Sequence, residues 1–226
     1  YKKMNVEEQR IDKEKKPKRA LSSMQIAVIV VSTLIFSCCA AFGAYLIVQN
    51  ILHKRLLETY PTAYTEWIKA YADEYGLDPY LVTSIMRCES SNDPSAVSGA
   101  GAIGLMQIMP DTGTWIAHKL GLDDVYDESM LYDPETNIRF GCWYLNFLSG
   151  RFDGNSMLMI AAYNAGHRAV ENWLEDDRFS TDGVLTVIPY EDTERYYERV
   201  TKAYENYTAL YPDLYGAQDD DAVAES

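Results

Sequence analysis

Along residues 20–52 the chain holds no charged side chain, and within that run residues 24–48 (MQIAVIVVSTLIFSCCAAFGAYLIV) are almost wholly apolar. At about 1.5 Å of rise per residue this is long enough to cross a hydrocarbon layer about 30 Å thick. The pattern predicts a transmembrane helix over 21–52, a basic segment over 1–20 before it, and a short helical stalk over 53–60 continuous with it. Beyond residue 60 the apolar positions recur at helical spacing, and a single folded domain is expected over 61–215. Residues 216–226 (GAQDDDAVAES) are an acidic tail with nothing to bury. Asp78-Pro79 and Asp133-Pro134 each set a capping acid before a proline at the first helical position, and Gly121 and Gly150 sit where helices stop. Helices are predicted over 61–76, 79–90, 112–120, 134–149, 156–165, 167–175 and 192–210. Strand signal is confined to the glycine-rich stretch 96–109, which suits a small irregular sheet or hairpin. The fold class is α+β, mainly α, with a minor β element, preceded by one membrane-spanning helix.

Charge divides the chain by sign. Residues 1–53 hold eight Lys/Arg against four Asp/Glu, and residues 54–226 hold twelve against thirty, giving +4 and −18. A domain that acidic repels nucleic acid and anionic surfaces, which excludes nucleic-acid binding. Lys13, Lys15, Lys16, Lys18 and Arg19 outnumber the Lys54/Arg55 pair beyond the span, so the positive-inside bias places the N-terminus in the cytoplasm and the acidic domain outside the cell or in the periplasm. A cleaved signal peptide has a shorter apolar stretch, and a lipoprotein box ending at Cys38 is disfavoured by the bulky Phe36. Cys38 and Cys39 then read as small apolar packers within the bilayer. The anchor, rather than charge, is expected to hold the domain near the cell surface.

On the 79–90 helix Leu81, Ile85 and Glu89 lie at i, i+4 and i+8, so the carboxylate shares a stripe with core-facing side chains. The stretch Ser90-Ser91-Asn92-Asp93-Pro94 ends the helix and leaves Glu89 in its last turn, half buried and half open. Desolvation and the helix C-terminus both disfavour its charge, which suits a general acid. The alternative is a structural glutamate tied to Arg87 or Arg139. Cys88 and Cys142 are either bridged or ordinary buried thiols. His53, His118 and His167 lack metal-ligand spacing, and neither metal nor cofactor is expected. Trp115, Trp143, Trp173 and the tyrosines read mostly as core, with a few at a cleft rim able to stack on sugar faces.

Glu89-Ser90, the stretches SGAGA (98–102) and GLMQIMP (104–110), AYNAG (162–166) and Ile188-Pro189-Tyr190 resemble the soluble lytic transglycosylase family over roughly residues 64–207. That resemblance implies a lysozyme-like fold and cleavage of peptidoglycan glycan strands. It makes Glu89 the catalytic acid and then base, sets Ser98, Gln107 and Met109 along the cleft, and forms the opposite wall from Ala162, Tyr163 and Asn164. Bland alternatives stand beside it: Ser98 as a turn cap and Met109 as core filler. The family shows Pro-aromatic-x-Glu-Thr near its end, whereas here Asp192 occupies the Glu position before Thr193. Either Asp192 reaches the cleft, or Glu191 replaces it, or that acidic role is weakened. Tyr196 matches the family's following aromatic and is expected to pack. The implied reaction yields 1,6-anhydro-muramic ends. Its rivals are a hydrolytic muramidase with Asp192 or Asp93 as second acid, and a catalytically idle wall-binding assembly subunit.

Overall fold

A computed structural model of the chain describes residues 20–216. The basic charges of 1–19 and the acidic tail from 217 on lie outside the described residues. The chain forms two compact units, Tyr1–Arg55 and Leu56–Ser226. Helix α1 (Ser23–Thr59), which makes up most of the first unit and ends in the first residues of the second, carries the uncharged run and has no buried residue of its own. Among the described residues it is the one helix long and apolar enough to cross a membrane. It runs without a break through the expected stalk.

The second unit is built from short capped helices: α2 (Thr65–Tyr75), α3 (Pro79–Ser90), α4 (Pro110–Lys119), a 3-10 turn (Glu128–Tyr132), α5 (Pro134–Arg151), α6 (Ser156–Ala165), α7 (His167–Leu174) and α8 (Glu191–Leu210). Asp78 accepts the Tyr80 amide at the start of α3, Asp133 the Thr136 amide at the start of α5, and Asn155 the Leu158 amide at the start of α6. Each cap satisfies a helix-end donor that has no partner within the helix. The long α8 lies along α3 and α6, burying Thr193, Tyr196, Val200, Ala203 and Tyr207 on one stripe.

Several expected boundaries move: α5 runs on to Arg151, so Gly150 lies inside that helix rather than at its stop. The first helix of this unit begins at Thr65 rather than 61 because Tyr64 is left-handed (φ 55°) and the Pro61 carbonyl is held by the Tyr207 hydroxyl at 3.0 Å. Pro110 takes the first helical position of α4, two residues earlier than expected. The stretch 96–109 pairs only through single antiparallel bridges, Val97 with Ile103 and Ile103 with Ile108. The two-stranded sheet lies elsewhere, β1 (Ser180–Thr181) against β2 (Val184–Leu185). Asp182-Gly183 turns that hairpin with both residues at positive φ, the geometry a tight hairpin requires.

Candidate active site

Helix α3 ends where Ser91 turns left-handed (φ 58°), so Glu89 stands in its last turn, half buried. The Tyr196 hydroxyl, from the buried stripe of α8, donates to Glu89 Oε1 at 2.6 Å. Burial drives the Glu89 carboxyl up from 4.5 to about 7, against the Tyr196 hydrogen bond and the positive charge of Arg199, which both pull it down. Arg87 holds the Thr59 carbonyl (2.9 Å) and the Ser91 hydroxyl (2.8 Å) instead of Glu89. Arg139 influences Tyr71 and Tyr75. No ion pair ties down Glu89 among the described residues.

The glycine-rich loop is folded by its own carbonyls. Ser98 Oγ accepts the Ala102 amide at 3.0 Å, so this side chain does cap a turn. Gln107, left-handed at φ 49°, donates its Nε2 to the Ala96 and Gly104 carbonyls at 3.2 and 3.0 Å. Behind the loop, buried Asn137 of α5 accepts the Met106 amide at 2.7 Å and donates to the Ile103 and Leu131 carbonyls at 2.9 and 2.7 Å. Gly104 (φ 79°) lies so close to this amide that a Cβ there would sit 2.3 Å from Asn137 Nδ2. Met109 is 41% exposed at the N-cap of α4, so it is not core filler.

The end of α6 packs against this loop. Ala162 is fully buried, and Tyr163 donates its hydroxyl to the Met106 carbonyl at 2.8 Å, pinning the loop to α6. Burial raises the Tyr163 phenol well above its ordinary pKa, with the charge of Glu89 adding to the shift, so it remains neutral. Asn164 Oδ1 accepts the Thr193 hydroxyl at 2.8 Å, which ties the same helix end to α8. From Tyr163 the aromatic surface continues through Tyr144 (ring centroids 5.6 Å) to Phe147 (6.0 Å) and then to Trp115 (5.0 Å), all half-buried.

Tyr163 gathers Glu89 and the 96–109 loop into one constellation, through the Glu89 charge and the Met106 carbonyl, while Asn164 beside it reaches α8. Asp192 is not brought into it. Its side chain is 90% exposed and pairs with Arg195, as does the neighbouring Glu191. Asp93 is fully exposed and accepts from the Ser95 amide and hydroxyl. The place of Tyr196 on the 193–196–200 stripe marks it as buried but says nothing of a carboxylate partner 107 positions away. Cys88 and Cys142 are free thiols. Among the described residues no three His, Cys, Asp or Glu side chains gather as a metal group. Cavities of about 460 Å³ beside Leu81 and Tyr204 and about 350 Å³ beside Arg87 and Arg199 are not lined by Glu89.

The Transglycosylase SLT domain family matches residues 66–184. The Soluble lytic murein transglycosylase of Escherichia coli K12 is 36% identical over 158 residues, 69% of this chain and 24% of that protein. Membrane-bound lytic murein transglycosylase C of Actinobacillus pleuropneumoniae is 33% identical over 172 residues, 67% of this chain and 47% of that protein. The chain thus spans from a quarter to about half the length of these relatives. Among solved structures, the 70 kDa soluble lytic transglycosylase of Escherichia coli superposes with a TM-score of 0.64 at 32% identity, covering 71% of this chain and 26% of that one. An inactive Glu-to-Gln mutant of the lytic transglycosylase Slt from Pseudomonas aeruginosa superposes at 0.60 with 34% identity, covering 66% and 24%. Mainly helical, with lysozyme-like neighbours and a family match over more than half its length, this chain belongs to the transglycosylase SLT domain family.

Proposed function

We propose that the chain is a membrane-anchored lytic transglycosylase that cleaves the β-1,4 bond between N-acetylmuramic acid and N-acetylglucosamine in peptidoglycan, with Glu89 as the single acid and base. The observation that carries this reading is a half-buried carboxyl raised to about 7, held by one tyrosine hydroxyl and by no cation. Near neutral pH such a group is divided about evenly between its protonated and ionised forms, which suits it to giving and then taking a proton. The names of the relatives and the Glu-to-Gln inactivation of the Pseudomonas protein support the same chemistry.

Glu89 gives its proton to the glycosidic oxygen as the C1–O bond breaks, and the N-acetylglucosamine end departs as an alcohol. The positive charge at C1 is stabilised by the substrate's own acetamide carbonyl. Glu89, now a carboxylate, accepts the proton of the muramic 6-hydroxyl, whose oxygen bonds to C1. No water enters, Glu89 is restored, and a 1,6-anhydro end is left. Tyr196 steadies the carboxylate between the two steps, which is a charge-assisted role. Gln107 donates its Nε2 to the loop, which leaves its Oε1 as an acceptor for a sugar N–H or hydroxyl. Ser98 and Met109 form the loop side of the cleft, with Ala162, Tyr163 and Asn164 opposite.

Exposure of Asp192 on Arg195 and of Asp93 on Ser95 favours this over the muramidase, which needs a second carboxyl to position water. Helix α1 supplies the anchor, with the N-terminus cytoplasmic by the charge bias and the domain extracellular or periplasmic. Incubation with purified peptidoglycan followed by mass spectrometry of the sugar termini tests the proposal. Anhydro-muramic ends are expected. Reducing ends would establish hydrolysis, and unchanged glycan would establish an idle module.

A further inference from the structure

The cavity beside Arg87 and Arg199 lies between α3, α8 and the segment that enters the domain, and encloses about 350 Å³. Its wall concentrates positive charge in a domain that is otherwise strongly acidic: Arg87, Arg199 and Lys202, opposed by Glu198 alone among its lining residues. Arg199 makes no hydrogen bond or ion pair among the described residues. Its guanidinium lies over the Tyr196 ring, 5.7 Å from the centroid. Lys202 reaches only loosely to exposed Glu205, at 3.8 Å. Arg87, by contrast, is fixed by Thr59 and Ser91, and because the Ser91 hydroxyl accepts from Arg87 its own proton is available to a ligand. One fixed guanidinium, one unpaired guanidinium, an ammonium and a hydroxyl around one space form a receptor for a phosphate-like anion.

Glu89 does not line the cavity, although Arg199 in its wall acts on the Glu89 charge. Arg87 lies about 160° around α3 from Glu89, on a different face of the helix. The cavity's position along the chain selects the source of the anion. Thr59, in its wall, follows Leu52, the last residue of the uncharged run, by only seven residues, so even fully extended chain keeps it within about 25 Å of that run. We propose that this cavity binds the phosphate of an anionic phospholipid headgroup. The inference rests on the reading of α1 as a membrane anchor. A headgroup held there would fix how the domain, which is repelled by anionic surfaces as a whole, faces the membrane from which it extends.

Cys88 lines the cavity and serves as the reporter. The full chain is placed in nanodiscs of phosphatidylcholine, with or without phosphatidylglycerol, and maleimide labelling of each cysteine is followed by peptide mass spectrometry. Buried Cys142 reports in the same sample whether the domain stays folded. Phosphatidylglycerol is expected to slow Cys88 labelling about fivefold or more, and the Arg199→Gln/Lys202→Gln variant, with Cys142 still protected, to lose that slowing. Equal rates in both discs, or slowing that survives the double substitution, would overturn the proposal. Slowing by inorganic phosphate in phosphatidylcholine discs would reassign the site to a soluble anion, and slowing by muropeptides to a peptide stem, and either would overturn the lipid. Failure of the chain to enter nanodiscs of either kind would instead remove the anchor reading, and the lipid source with it.

Discussion

Two acidic residues at opposite kinds of helix end show how position decides chemistry. Glu89 stands in the last turn of α3, half buried, beneath a tyrosine hydroxyl, with its carboxyl raised to about 7. Asp192 stands in the first turn of α8, almost fully exposed, beside Arg195. At the first site the helix end and desolvation both oppose charge. At the second the helix start and solvent both accommodate it. The family pattern marks both positions as acidic, but only one of them occupies an environment that turns a carboxylate into a neutral-pH acid.

Glu89→Gln should show the largest effect, lowering turnover on peptidoglycan about a thousandfold or more. The same variant should be the more stable protein. Glu89 has a folded pKa raised to about 7 from 4.5, so its stability cost is absent below pH 4.5, grows as pH rises to 7 and is complete above it. Thermal melts should therefore favour Glu89→Gln by on the order of 1–3 kcal/mol at pH 8 and by little at pH 4. Equal melts at both would place the carboxyl in an ordinary environment and erase the contrast with Asp192.

Asn137→Ala comes next. It removes three buried hydrogen bonds, two that shape the 103–106 turn and one to the Leu131 carbonyl of the 3-10 turn, and should cost about 3 kcal/mol in denaturant unfolding, with about a tenfold loss of turnover in the protein that remains folded. A stable, fully active variant would show that the loop is held by other means.

Tyr196→Phe sharpens the comparison. Without the hydroxyl the Glu89 carboxylate loses its donor, so the alkaline limb of the pH–rate profile should move up by about one unit while turnover falls severalfold. A purely structural role for Tyr196 would lower activity at every pH alike. The smallest change is expected of Asp192→Asn, because an exposed ion pair contributes about 0–1 kcal/mol, and turnover should stay within about threefold. A hundredfold loss there would give Asp192 a place in the cleft that its exposed side chain does not indicate.

Much of this was legible in the sequence for identifiable reasons. Asp78-Pro79 and Asp133-Pro134 mark helix starts because capping is local chemistry, and the Leu81–Ile85–Glu89 stripe places the acid at the edge of the core because helical periodicity is local too. The β hairpin at 180–185 had a readable signal in Asp182-Gly183, hidden by the shortness of its two-residue strands. The start of α2 at Thr65 was not readable, since it depends on Tyr207 holding Pro61 from 146 positions away. The Tyr196–Glu89 contact and the Asn137 brace behind the loop are likewise tertiary. Each joins residues whose separate patterns predict burial but not a partner.

The central claim is that the Glu89 carboxyl keeps its proton well above the ordinary carboxylate range without substrate, and its direct test is a carbon-detected NMR titration of the folded protein with labelled glutamate carboxyls, Glu89 being assigned by the resonance missing from Glu89→Gln. A midpoint near 7 is the result this account predicts. A midpoint near the ordinary 4.5 would contradict it.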